Sequence, residues 1–320
     1  MMERNLAILL AVYNPREDWL IELLDSLNRQ TYPSITLYVR DDASPNYSMN
    51  RLKQVLCEHI TAFPYILRQT EVNCGSNQTF EHLVRDASDA HYVAFCDQDD
   101  IWLPDKLTNS VALLENSPLS PALVCSNVSV IDGSGRKIAT SLEQYRRRHV
   151  LLRGRELARG LIYRNFVMGC TVVMERRRVM HALPFPNVVV HDHYLAFCAA
   201  IEGAIDYLEA PQMHYRIYGG NQTGVMVGIE SKHDYAKHRI LAFGKRLDAF
   251  SAVSDIPALR EARAWYDSRI RNFNRERGGF RGLWRLRAVN PSTSLFELFA
   301  LRLPAPLFRM SVRLIVSGRL

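Results

Sequence analysis

The feature that most constrains this chain is the alternation, through its first two-thirds, of short apolar runs with amphipathic stretches at helical spacing. Apolar runs of this kind are strands buried on both faces, and helices must cross over between them. The expected fold is therefore α/β, with helices flanking a mostly parallel central sheet. Leu6 to Val12 reads as the first strand. Trp19, Leu20, Leu23, Leu24 and Leu27 then fall on one helical face, and Ile35 to Val39 reads as the second strand. Leu52, Val55, Leu56 and Ile60 mark a second helix, Tyr65 to Leu67 a short strand, and Phe80, Leu83, Val84 and Ala87 a third helix. Tyr92 to Cys96 is the next strand, and Ala122 to Ile131 and Val167 to Met174 follow. A helix is expected over Leu195 to Ile201.

In open α/β sheets, ligands bind just beyond the carboxyl ends of the strands. Asp41, Asp42, Asp97, Asp99 and Asp100 all stand there. The segment FCDQDDIW, Phe95 to Trp102, carries three carboxylates in four residues. Such carboxylates repel one another, so a fold retains them at a strand end when a cation or donor groups compensate. Mg2+ or Mn2+ on a diphosphate is the natural compensator. The competing reading is a solvated acidic loop ahead of the helix that begins near Asp105.

The net charge of +7 conceals an asymmetry. From Lys232 onward there are 18 Lys plus Arg against 7 Asp plus Glu, a local +11, which leaves −4 for the preceding part. The division implies a domain over residues 1–228 and a basic helical region over 229–320, broken at Gly278, Gly279, Gly282, Asn290 and Pro291. That region either packs on the first or meets a membrane surface: Leu307, Phe308, Leu314 and Ile315 gather on one helical face, preceded by Leu295, Phe296, Leu298 and Phe299. Nucleic acid is disfavoured, because the basic excess lacks an aromatic-rich binding signature. The six cysteines form no CxxC pair, which points to reduced thiols in a cytoplasmic protein. No stretch of 18 apolar residues occurs, and the opening apolar run reads as a strand rather than a signal peptide, so any membrane contact is peripheral.

The stretches AVYNPREDWL, QTYPSITLYVRDDAS and FCDQDDIWLPDKL, in order and at family spacing over roughly residues 5 to 225, resemble family 2 glycosyltransferases of the GT-A fold. The DQDDIW form is similar to rhamnosyltransferases of bacterial surface polysaccharides, such as O-antigen or capsule. The resemblance implies a nucleotide-sugar-binding GT-A domain. In it Asp97 and Asp99 form the metal-binding Asp-x-Asp element, with Asp99 the direct ligand, and Asp41 or Asp42 reads the base or ribose. Tyr13, Asn14, Gln98 and Asp100 join the nucleotide-sugar contacts. The segment NCGSNQTF resembles the Asn-x-Gly loop beside the nucleotide. There Gly75 supplies a positive φ, Asn77 is the candidate contact, and Thr79 stands where relatives carry Asn.

In His191, Asp192, His193 the resemblance implies that Asp192 takes the acceptor's proton; on residues alone, an Asp before an apolar helix is more often a cap. His191 and His193 are assigned to orientation or packing at the pocket. The segment HYRIYGGNQTG resembles the late Tyr-Arg element near the leaving diphosphate, giving roles to Arg216 and Asn221. Ile101, Trp102 or Phe166 would form an apolar wall for a deoxysugar methyl. Arg146 to Arg148 and Arg176 to Arg178 read as solvated helix faces.

The implied reaction is inverting transfer of rhamnose from its deoxythymidine-diphosphate donor onto a hydroxyl of a glycan, lipid-linked in the growing polysaccharide. A uridine-diphosphate sugar donor, or a non-catalytic nucleotide-sugar-binding subunit of an assembly complex, are the alternatives.

Overall fold

The computed structural model describes residues 4–146, 149–218 and 228–316. The chain divides into two compact units, residues 1–219 and 220–320.

In the first unit, Leu6–Val12 forms strand β1, with Leu6, Ala7, Ile8, Leu9 and Leu10 wholly enclosed. Helix α1 follows over Glu17–Leu27 and buries Leu20, Leu23, Leu24 and Leu27 completely. Each of these leucines contributes about 1.5–3 kcal/mol by leaving water. Leu23→Ala would cost about 2–5 kcal/mol. Next come β2 (Ile35–Asp41), α2 (Met49–His59), β3 (Tyr65–Gln69), α3 (Ser76–Asp86) and β4 (Tyr92–Cys96). β1 lies between β2 and β4, and all four strands run parallel in the order β3-β2-β1-β4. The order therefore reverses between β1 and β4, which opens a crevice at their carboxyl ends.

The rest of the sheet is mixed. It comprises β5 (Ile101–Trp102), β6 (Pro121–Ile131), β7 (Lys137–Ala139), β8 (Val173–Glu175) and β9 (Ala204–Arg216), separated by α4 (Lys106–Asn116), α5 (Leu142–Tyr145), α6 (Ala158–Tyr163), α7 (Arg176–His181) and α8 (His191–Glu202). The sheet order continues β4-β8-β6-β9-β5, with β7 on β6. β6 and β9 are parallel, whereas β8 and β5 run antiparallel to their neighbours. The parallel character expected from the sequence thus holds through β3-β2-β1-β4 and again for β6 with β9, with short antiparallel pairings between and beside them.

Two local differences matter for the site. Val167 to Met174 is not one strand: Gly169–Thr171 makes a 3-10 turn before β8. α8 begins at His191, so the His-Asp-His triplet is its first turn rather than an extended lead-in.

The second unit is helical. Lys232–Tyr235 (α9) continues through a π-helical segment, Ala236–Leu241, into α10 (Ala242–Val253). α11 (Pro257–Phe273), α12 (Gly279–Arg285), α13 (Pro291–Phe299) and α14 (Ala305–Val316) follow. Their inward faces close around Tyr235, Ile240, Leu301, Phe308 and Val312. A buried ion pair, Arg269 with Glu297, is supported by the Tyr235 hydroxyl donating to Glu297. No helix among the described residues is long and apolar enough to cross a membrane.

Candidate active site

The crevice between β1 and β4 is closed at its floor by a reciprocal clamp. The Tyr13 N–H donates to Gln98 Oε1 at 2.8 Å, and Gln98 Nε2 donates back to the Tyr13 carbonyl at 3.0 Å. Tyr13 leaves its ring 45% exposed above this clamp. Asn14 turns the chain away with φ +43°, a conformation Asn tolerates, and its Oδ1 accepts from the Asn46 N–H.

The two acidic residues after β2 are committed to the protein. Asp41 accepts from the Ser44 hydroxyl and N–H and from Gln69 Nε2. Asp42 accepts from Thr70, Asn73 Nδ2, the Cys74 N–H and the Gly75 N–H. Burial alone would raise the Asp42 pKa, but these donors outweigh it and hold it below the usual carboxylate range. Both carboxylates are buried and shape the loop beside the crevice. Gly75 takes φ +81° as expected and starts α3.

Asn77 also points into the protein. Its Nδ2 donates to the carbonyls of Pro186 and Val189, and its Oδ1 accepts the His191 N–H.

At the end of β4 the carboxylates crowd together. Asp97 is pushed up to about 7 by burial and by the charges of Asp99 and Asp192. Asp99 and Asp100 are raised as well, again chiefly by burial. Asp100 is fully enclosed, its Oδ1 accepting from the Arg216 N–H while Oδ2 has no hydrogen-bond donor. Asp99 accepts from the Tyr218 hydroxyl. Beneath them Lys106 is wholly buried, its Nζ donating to the Cys170 carbonyl at 2.6 Å and lying 3.0 Å from the Trp102 ring centroid.

Donor atoms of Asp97, Asp100 and Cys170 lie within 4.8 Å of one another. The Cys170 thiol is pushed well up by burial, so it stays protonated and the effective donors are carboxylate oxygens. An acid-rich set with an orphaned oxygen fits a hard divalent cation such as Mg2+ or Mn2+.

The triplet separates by role. Asp192 Oδ1 accepts from Asn165 Nδ2 and Oδ2 from the Gly169 N–H, both at 3.1 Å. Asp192 is no cap, since Val190 holds the cap position of α8. Burial raises it to about 6, opposed by the His193 and Gly169 N–H groups and by Asn165. His191 lies under Phe80 and Phe95, with centroids 4.4 and 5.2 Å away. Burial lowers it to about 3, so it is a neutral packing group. A Cβ at position 169 would sit 2.9 Å from His191 Nε2, so Gly169 is required for this packing. His193 is buried and engages the Leu161 carbonyl through Nε2 at 2.6 Å. Both histidines are buried.

Two further expectations are corrected. Trp102 is 1% exposed, inside the core beneath the acidic cluster, so it walls no sugar pocket. Arg216 is also 1% exposed; it pairs with Glu22 and donates through Nε to the Asp99 carbonyl at 2.8 Å. It pins the acidic loop from within the protein. Asn221 lies outside the described residues. Asn165, Gly169, Lys106, Tyr218 and Glu22 are site residues that the sequence reading did not select.

The family model described as Glycosyl transferase family 2 matches residues 7–179. The dTDP-rhamnosyl transferase RfbG of Shigella flexneri is 26% identical over 239 residues, covering 70% of this chain and 76% of that protein. The Escherichia coli UDP-Glc:alpha-D-GlcNAc-diphosphoundecaprenol beta-1,3-glucosyltransferase WfgD is 23% identical, covering 59% and 67%. Among solved structures, S. aureus TarS 1–349 in complex with UDP-GlcNAc superposes with TM-score 0.60 at 16% identity, over 98% of this chain and 92% of that one. The mannosyltransferase PcManGT from Pyrobaculum calidifontis, in complex with GDP-Man and Mn2+, gives 0.56 at 16% identity, over 100% and 87%. These neighbours share the GT-A architecture, and the matched family model spans the crevice, the acidic strand end and the turn at Gly169; the chain belongs to glycosyl transferase family 2.

Proposed function

We propose that the chain transfers rhamnose from its deoxythymidine-diphosphate donor to a hydroxyl of a growing surface glycan, by a single inverting displacement with Asp192 as general base. The observation that carries the base assignment is the Asp192 carboxylate itself: it is held by Asn165 and the Gly169 N–H, and raised to about 6 by burial beside the acidic strand end. A carboxylate tuned toward neutrality and fixed on a helix is suited to accept a hydroxyl proton as the bond to the anomeric carbon forms. Asp97 and Asp100, whose oxygens converge, with Asp99 beside them, would hold a divalent cation, which when bound supplies charge neutralisation for the departing diphosphate. Tyr13, Asn14 and Gln98 line the crevice where the nucleotide would lie, shaped from behind by Asp41, Asp42 and Gly75. Arg216 acts by fixing the backbone of Asp99 and Asp100.

The donor assignment is supported by the DQDDIW form and by the likeness to RfbG. The likeness to WfgD supports a lipid-diphosphate-linked acceptor and keeps a uridine-diphosphate donor in view. Residues 1–228 are proposed as the catalytic domain and the remainder as an accessory region.

A thermal-shift series with nucleotide sugars, with and without Mn2+, tests this reading, because a ligand that binds the native state raises its melting point. The rhamnose donor should stabilise most, and only with Mn2+. Tenfold tighter binding of a uridine-diphosphate sugar overturns the donor; turnover that is unchanged when Mn2+ is chelated overturns the metal.

A further inference from the structure

The second unit carries a surface that its own core does not use. On α13 and α14, Leu298, Phe308 and Val312 are buried and Phe296 packs against the same cluster. Leu295 and Phe299 remain 42% and 58% exposed on the other side of α13, and Leu307 is exposed at 44%. The single apolar face expected from the sequence is thus split, one part completing the core and the other left in solvent. On α12, Phe280 and Trp284 are also exposed, stacked with centroids 6.4 Å apart and planes 7° from parallel. Phe280, Trp284 and Phe299 wall a shallow cavity of about 370 Å3.

Arginines frame this aromatic patch. Arg281 and Arg285 line the same cavity, and Arg287 and Arg302 lie over the Trp284 and Phe280 rings at 4.5 and 4.6 Å. An adjoining cavity of about 880 Å3 shares Phe280 and Arg281 and adds Arg275, Arg277 and Arg302, with Glu276 the one carboxylate in its lining. Arg302 is held in place by Asn272 and the Leu298 carbonyl. Among the described residues, Arg275, Arg277, Arg281 and Arg285 form no salt bridge. Aromatic rings of this size left in water, ringed by unpaired guanidinium groups, match the boundary of an anionic bilayer: phosphate oxygens meet the cations while the rings enter the acyl border. A nucleic acid would satisfy the arginines but has no acyl layer for Phe299 and the cavity it walls.

We propose that the face formed by α12 and α13, with the arginine-lined cavity beside it, docks on the surface of an anionic phospholipid membrane. The inference is independent of which sugar the first unit transfers. Its chemistry provides an internal reporter. The chain has four tryptophans, and Trp19, Trp102 and Trp265 are 7%, 1% and 1% exposed, whereas Trp284 is 42% exposed.

The full-length protein should co-sediment with vesicles containing phosphatidylglycerol and not with pure phosphatidylcholine. Binding should shift its tryptophan emission to the blue, and Trp284→Phe should remove the shift while leaving sedimentation in place. Neutralising Arg275, Arg277 and Arg281 together to Gln should weaken vesicle partition roughly a hundredfold. The melting curve should stay unchanged, because all three side chains are exposed. Three results overturn the proposal: no binding to the anionic vesicles, binding with no emission change, or wild-type partition by the triple variant. Duplex DNA binding that depends on the same arginines, without vesicle binding, would assign the face to nucleic acid instead.

Discussion

Asn77 Oδ1 accepts the His191 backbone N–H at 2.9 Å, so a side chain from the first turn of α3 caps the helix that carries Asp192. The first N–H groups of a helix have no partner within it. α8 lacks a side-chain cap of its own at Val190, and Asn77 supplies one from 114 residues away in sequence. The same amide also donates to Pro186 and Val189 and fixes the approach to the helix. Asn77→Ala is expected to cost about 1–2 kcal/mol, the range of a lost cap. Because the proposed base moves with that helix, turnover should fall about tenfold with donor affinity nearly unchanged. Chemical denaturation and steady-state kinetics check both parts; a loss of donor affinity alone would return Asn77 to the nucleotide.

Asp192→Asn keeps the size of the side chain and removes its basicity. Turnover should fall by roughly two to four orders of magnitude while donor binding holds. In the wild type the base works when ionised, so kcat/KM should decline as pH falls through about 6. The variant's residual activity should lack that limb. A limb that persists in the variant belongs to another group.

The legible and illegible parts of this protein divide on physical grounds. Strands enclosed on both faces announce themselves as apolar runs, which is why β1, β2 and β4 are readable along with the acidic strand end. β9 was missed although it is 13 residues long, because Glu209 and Pro211 interrupt its pattern and register shifts against β6 break its alternation. β5 has two residues and no pattern at all. Buried charges leave no trace in composition: Lys106 and Arg216 look like surface residues until the fold encloses them. The partners of Asp192 lie 27 and 23 residues away, in a segment without a motif, so only the fold brings Asn165 and Gly169 to it.

Arg216 and Glu22 offer a test of loop pinning. Arg216 is enclosed, and its guanidinium binds Glu22 and the Asp99 and Asp132 carbonyls. Arg216→Ala strands the Asp99 and Asp132 carbonyls, and leaving buried acceptors unsatisfied costs about 1–3 kcal/mol each. Glu22 is half exposed, so Glu22→Gln should cost less than about 1 kcal/mol. If Arg216 acts by pinning, its loss should lower stability and Mn2+-dependent turnover together, and turnover in Glu22→Gln should change by less than threefold. A stable Arg216→Ala protein with only its diphosphate affinity impaired would instead place this side chain on the leaving group.

Lys106 is the one buried cation beneath the acidic cluster among the described residues of the first unit that lacks a carboxylate salt bridge, and it acts on that cluster through the field. Burial lowers its pKa to about 8, so it is mostly protonated at neutral pH, and it in turn lowers Asp97. Lys106→Met preserves the length and apolar stem but leaves the carboxylates uncompensated. The expected loss is about 1–3 kcal/mol at pH 7.5, the range for leaving buried polar groups uncompensated. The sign of its pH dependence follows from Asp97. Its folded pKa, raised to about 7, means that the carboxylate is neutral in the native state below that value, and a neutral acid has no need of the cation. The deficit should therefore shrink as pH falls from 7.5 to about 5.5. Mn2+ at neutral pH should shrink it as well, by replacing the missing positive charge. Melting curves of both proteins across that range provide the measurement. A deficit constant in pH and unmoved by Mn2+ would mean that Lys106 contributes only its hydrogen bond to Cys170 and its contact with Trp102.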